Sequence, residues 1–255
     1  MLYRTVGDAR GLGFLLLNRA ANRFNDGRWI EGLQVNTEAA DVLTRSGFLI
    51  DAALASLNDA VARARQGHGA EVLAAAAPIE RTLRRLGWAE GVAYVDLPVA
   101  AVLGQQGEIE RALDRLDHAH ARSTETRILE FLGETHRQRA ICLLYARRPD
   151  DALVAVRAIV PAWFDLDPVL EVGVSWLRAH AALQRNDIDA AAVLLHDAAA
   201  VAERQSLPYE LARVAWSLEA WAERAGSAEL ATWRDHRRSA FEHFAVTDGL
   251  PSLPV

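Results

Sequence analysis

Imidazoles, thiols and close carboxylates are the groups that bind metals or move protons, and this chain carries eight histidines and a single cysteine. The histidines are His68, His118, His120, His136, His180, His196, His236 and His243. No two stand four residues apart, the spacing that sets a pair on one helical face for a shared metal. His118 and His120 are two apart and would point about 200° apart on a helix. His236 and His243 share a face, but the sequence supplies no further ligands beside them. No His-x-Glu, His-Glu-x-x-His, Cys-x-x-Cys or Gly-x-Ser-x-Gly pattern occurs, and Gly11-Leu12-Gly13 has neither a third glycine nor a preceding strand. Cys142, inside the run Ile141-Cys142-Leu143-Leu144, reads as a small buried hydrophobe. Asp150-Asp151 and the pair Asp165/Asp167 fall at expected helix starts, where carboxylates cap backbone amides. The chemistry on offer is therefore recognition, with no enzyme activity, cofactor or metal expected.

The elements that must position such groups follow from composition. In 255 residues, apolar-periodic stretches run long, Gly and Pro are sparse inside them, and β-branched runs are nearly absent, which favours helix almost everywhere. A net charge of −6 argues against a nucleic-acid footprint, because phosphate binding needs a positive face. The chain has no lysine, so all 28 basic residues are arginine. The N-terminal apolar run is too short and too charged for a signal segment, and no later segment could span a bilayer, so the chain reads as cytoplasmic with no membrane partner.

Turn signals recur at Gly27, Gly67, Gly107, Arg147, Asn186 and Gly226, spaced 40, 40, 40, 39 and 40 residues apart. Seven residues before each turn stand Ala20, Ala60, Ala100, Ala140 and Ala179, with Glu219 as the exception. Five residues after it stand Gly32, Val72, Ala112, Ala152, Ala191 and Ala231. The pattern predicts six helix-turn-helix units: 7–24 with 27–45, 47–65 with 69–86, 88–105 with 107–122, 124–146 with 149–160, 166–185 with 187–205, and 207–224 with 227–245. Pro149 suits the first turn of its helix. Pro161 and Pro168 flank the longest connection, so a seam is expected at 161–168. The expected architecture is an all-α, right-handed α-solenoid over 1–245, followed by an extended tail at 246–255. Single hairpins cannot bury their apolar stripes alone, so neighbours must stack and leave an inner, concave face.

The turn blocks Gly107-Glu108-Ile109-Glu110-Arg111-Ala112-Leu113, Asn186-Asp187-Ile188-Asp189-Ala190-Ala191 and Arg148-Pro149-Asp150-Asp151-Ala152-Leu153 resemble the Gly-Asp/Glu-x-x-x-Ala turn of tetratricopeptide repeats. Ala100, Leu103, Leu116 and Ala119 match that family's packing positions. Tetratricopeptide units run about 34 residues, so units of about 40 are closer to HEAT-like lengths. Longer units of this kind, and the tail from Ala240 to Val246 followed by Leu250 to Pro254, look like the sensor region of large ATP-binding transcriptional regulators of the LuxR type. The ATPase module of such a regulator would need a Gly-x-x-x-x-Gly-Lys loop, which a chain without lysine cannot contain.

Projected on that template, the first helix of each unit lines the concave face with Phe14, Leu17, Phe24, Leu54 and Leu57, then with Tyr94, Glu134, Arg137, Tyr145, Trp176, His180, Arg213 and Trp216. The second group is the candidate binding site, since aromatics with arginine are the usual anchors of recognition. The same spacing also suits Trp176 and Trp216 as large core residues. The expected partner is a protein, a peptide or a small-molecule effector, bound by a sensor module related to a bacterial transcriptional regulator. The alternative is a stand-alone scaffold that forms a homodimer through its end repeats.

Overall fold

A computed structural model describes residues 8–244 together with 253 and 254. Among these residues are twelve α-helices and no strand. They are α1 (Ala9–Asn25), α2 (Trp29–Arg45), α3 (Leu49–Arg65), α4 (Gly69–Arg85), α5 (Ala89–Gln105), α6 (Ile109–Thr126), α7 (Leu129–Tyr145), α8 (Pro149–Arg157), α9 (Pro168–Gln184), α10 (Ile188–Arg204), α11 (Pro208–Ala225) and α12 (Leu230–Phe244). The six expected hairpins are present, and all but two of the helix boundaries fall within three residues of the expected ones; α6 runs four residues further, to Thr126, and α7 starts five residues later, at Leu129, because the left-handed turn between them falls at Arg127.

The repeat is finer than the spacing of forty suggests. Left-handed backbone occurs at Gly27, Gly47, Gly67, Gly87, Gly107, Arg127 and Arg147, then at Asn186, Ser206 and Gly226. Each of these residues ends a helix in the same way. The amide one residue later bonds back five residues, as from Arg28 to Arg23 at 2.8 Å, from Trp88 to Leu83 at 3.0 Å and from Leu207 to Ala202 at 2.9 Å. This double closure satisfies the last carbonyls of the helix and reverses the chain. The connections between hairpins therefore use the same turn as those within them, and a period of forty is two steps of twenty. A positive φ suits glycine because no Cβ clashes there, which explains five consecutive glycines and leaves four later turns with side chains that tolerate the geometry less well.

One step breaks the rhythm. Helix α8 was expected to reach residue 160 but stops at Arg157, because Pro161 forces Val160 into extended backbone at φ −91° and ψ 141°. A single 3₁₀ turn, Pro161–Trp163, leads to α9, where the Asp167 carboxylate accepts from the Val169 amide at 3.0 Å. Asp167 thus caps as expected. Asp150 and Asp151 do not: α8 has no side-chain cap, and these acids pair instead with Arg185 and, at 2.8 Å, with Arg148. Arginines within reach on the exposed rim outcompete the backbone amides of the first turn.

The chain divides into two compact units, residues 1–99 and 100–255. In the first, each helix packs on the next and α1 also touches α3, around Leu16, Leu17, Ala39, Leu43 and Ala55. In the second, α7 touches α9 and α9 touches α11, so the odd-numbered helices form one continuous layer. Its core runs from Ala140 to Leu253 and includes Leu144, Leu170, Leu177, Leu183, Leu195 and Leu218. The alanines at 20, 60, 100, 140 and 179 are at most 4% exposed, as close packing of helices requires. The exception, Glu219, is 8% exposed and pairs with Arg234 at 3.1 Å and Arg237 at 2.6 Å, both on α12. Of the expected tail, residues 246–252 and 255 lie outside the described residues. Leu253 is buried in the core of the second unit. No helix among the described residues is long and apolar enough to cross a membrane.

Candidate functional site

Counting back thirteen and ten residues from the left-handed turn that ends each odd-numbered helix gives two recurrent rungs. In order along the chain they hold Phe14/Leu17, Leu54/Leu57, Tyr94/Leu97, Glu134/Arg137, Gly173/Trp176 and Arg213/Trp216. Six of the eight candidate residues occupy these rungs. The other two, His180 and Tyr145, lie further along α9 and α7.

Tyr94 belongs to the first unit, where its ring meets Trp88 edge-on at 6.0 Å. The remaining seven belong to the second. There Arg137 is 4% exposed and receives a two-pronged carboxylate grip from Glu134, at 2.6 and 2.7 Å. Burial opposes the charge on Arg137, but Glu134, and then Glu210 and Asp167, more than offset it and keep the guanidinium ionised. Its stem crosses α9 over Gly173, where an added Cβ would stand 2.9 Å from Arg137 Cδ. Glycine at that rung is what lets an arginine of α7 reach across toward α11.

The α11 side repeats the motif. Glu210 and Arg213 pair at 3.0 Å with side chains 6% and 10% exposed. The Arg213 guanidinium stacks 4.1 Å above the Trp176 ring. Trp176 Nε1 donates to Ser217 Oγ at 2.9 Å, and His180 Nε2 lies 2.8 Å from the same oxygen. Trp176 and His180 are 3% and 1% exposed. Burial, with Arg213 adding to it, pushes the His180 pKa down to about 3, so the imidazole is neutral at physiological pH. Burial likewise pushes the Tyr145 hydroxyl up to about 12, against the opposing pull of Arg213. Trp216 sits at the edge, half-buried, with Phe241 edge-on at 5.1 Å and Arg237 5.6 Å from its ring.

Trp176, His180 and Arg137 are thus buried, while Glu134, Tyr145 and Trp216 are partly open. Trp176 is a core residue as well as a network member, in line with its helical spacing. Three buried nitrogens of the network have no hydrogen-bond partner: Arg137 Nη1, Arg213 Nε and His180 Nδ1. Either tautomer of His180 leaves Nδ1 unmatched, as a donor or as an acceptor. Such groups cost free energy and mark where a polar ligand group, or a shift of the network, would be rewarded.

Sequence reasoning missed Glu210, Ser217 and Gly173. Glu210 was findable, because Glu210-Leu211-Ala212-Arg213 repeats the spacing of Glu134-Thr135-His136-Arg137. Cys142 is buried as expected, and its thiol is pushed up to about 12 by that burial. His120 is half-buried and meets His136 at 5.1 Å, and His136 stacks on Trp163 at 6.5 Å. Burial, with His120 and Arg139 adding to it, pushes His136 down to about 4.

No family model matches the chain, and no curated protein matches it in sequence. Among solved structures, the chain is similar to a Rap protein complexed with competence and sporulation factor, with a TM-score of 0.62 at 12% identity, over 91% of this chain and 77% of that one. The likeness establishes the fold: an all-α, tetratricopeptide-like helical repeat.

Proposed function

We propose that this protein is a non-catalytic interaction module that captures a peptide or a peptide-like segment of a protein on the odd-helix face of its second unit. The observation that carries this reading is the buried ladder Glu134–Arg137 and Glu210–Arg213, laid across α7, α9 and α11 with unmatched donors at its centre. Ion pairs taken out of water seldom repay their desolvation as structure alone, so two of them, on α7 and on α11, favour recognition. The arrangement suits a ligand with alternating donors and acceptors, which is what a peptide backbone offers. Trp216 and Tyr145 supply aromatic edges for its side chains. The likeness to a Rap protein that was solved with a bound factor favours the same use of the fold. The resemblance of the long repeat units and of the tail sequence to LuxR-type sensor regions favours a partner that carries a regulatory signal.

The test is a display selection of random peptides on the purified full chain, followed by calorimetry of the enriched sequences. Binding should be stoichiometric, and Trp216→Ala and Tyr145→Ala should each weaken it at least tenfold while leaving the unfolding midpoint within a few degrees. Enriched peptides that bind both variants as well as the parent would remove the site from this face.

A further inference from the structure

The chain already seats a piece of itself beside this face. Trp176, His180 and Gln184 stand four residues apart along α9, so the stripe that begins in the ion ladder ends at Gln184. Gln184 Nε2 donates to the Leu144 carbonyl at the end of α7, at 2.8 Å, and to the Pro254 carbonyl at 3.2 Å. Both partners are acceptors, which fixes which end of the amide is nitrogen. Leu253 is 5% exposed and forms part of the apolar core of the second unit. The other end of the same amide, Gln184 Oε1, is buried with no partner.

We infer that the Leu253–Pro254 segment is a resident self-ligand, and that its seat takes an extended peptide in which a leucine is followed by a residue other than proline. The seat has two parts. One is an apolar hole that holds the leucine. The other is a side-chain amide that offers a donor to a backbone carbonyl and an acceptor to a backbone N–H. A residue in extended conformation fills both ends of such an amide, its own carbonyl accepting from the nitrogen and its own N–H donating to the oxygen. The resident segment fills only one, because proline has no N–H to give Oε1. A competing peptide with an N–H at that position satisfies the orphaned oxygen and displaces the segment. This inference rests on the reading that the α7–α9–α11 face takes peptides, and adds the class of sequence and the means of release.

The experiment uses the full chain carrying Leu253→Asp, which empties the hole, and a fluorescent peptide of the sequence 250–255, read by anisotropy. The peptide should bind the variant saturably and the parent at least tenfold more weakly. A second peptide with alanine in place of its second proline should bind several times more tightly than the first. Gln184→Ala in the same background should remove that advantage. Equal binding to parent and variant, no binding to either, or no gain from the alanine peptide would each overturn the inference. If Leu253→Asp does not fold, Pro254→Ala in the otherwise unchanged chain should slow amide exchange in the C-terminal segment, and unchanged exchange would overturn it. Should display-selected peptides bind and lose affinity with Trp216→Ala while the 250–255 peptides never bind, this inference falls and the site reading stands. The converse pattern removes the site reading alone.

Discussion

The same two rungs are filled in opposite ways in the two units. In the first they hold Phe14/Leu17, Leu54/Leu57 and Tyr94/Leu97, and Leu17 and Leu57 are each 4% exposed. In the second they hold Glu134/Arg137, Gly173/Trp176 and Arg213/Trp216, with Arg137 as deeply buried as those leucines. Burying a leucine is favourable by roughly 2 kcal/mol. Burying an arginine is costly unless a carboxylate follows it in, and in each case one does, three residues earlier on the same helix. The comparison teaches that the helical-repeat frame does not need charge at these rungs. Where charge is present, the proposed function gives it a role beyond the frame.

That contrast can be broken most forcefully at Glu210. Glu210→Leu strands the Arg213 guanidinium and should cost about 3 kcal/mol in chemical denaturation, whereas Glu210→Leu combined with Arg213→Met should recover most of the loss. A double variant as unstable as the single one would mean that the pair is structural glue and not a charge retained for binding. The converse control, Leu57→Ala in the first unit, should cost about 2–4 kcal/mol with no partner able to rescue it.

Protonation probes the same network. His180 is neutral in the folded protein down to about pH 3, while an unfolded imidazole takes its proton near pH 6.5. Because the unfolded chain binds the proton first, the contribution of His180 to stability is intact above about pH 6.5. It falls by up to about 1.4 kcal/mol per pH unit as the pH drops toward the folded value. Denaturation curves from pH 7 to 4 should therefore be shallower in pH for His180→Gln than for the parent. Parallel curves would mean that the imidazole titrates normally.

Ser217→Ala removes the oxygen shared by Trp176 and His180 and should cost about 1–2 kcal/mol. The smallest effect expected is at the turns. Ser206→Gly relieves a serine at φ 54° and should raise stability by up to about 1 kcal/mol, while glycine already stands at the matching turns in the first unit, Gly47 and Gly87. A destabilised Ser206→Gly would show that the serine side chain holds that turn.

Much of the frame was legible. Alanine at 20, 60, 100, 140 and 179 marked the close helix contacts, and glycine marked the turns, because small side chains and positive φ leave narrow choices of residue. The step of twenty was missed because Gly47 and Gly87 stand alone, without the Asn, Asp or Gln that drew the eye to the turns within hairpins. The end of α8 was misjudged by three residues, since the reach of Pro161 on Val160 was not counted. The candidate site was legible as a set of rungs and not as a network. Ser217 and Gly173 gave no sign of their parts, because a small residue on a helix looks alike whether it packs, clears a path or accepts two hydrogen bonds.

The sequence by itself determined the helices, their turns and the rungs that face one way, because these depend on neighbours within one or two helical turns. Only the tertiary structure decided that Arg137 crosses Gly173, that Trp176 and His180 share Ser217, and that Leu253 comes home to the core beside Gln184. Those contacts join residues 36 to 70 positions apart, with no local energy to announce them. They exist because stacking brings α7, α9 and α11 into one layer, and the physical reason for each is burial that no single hairpin can provide.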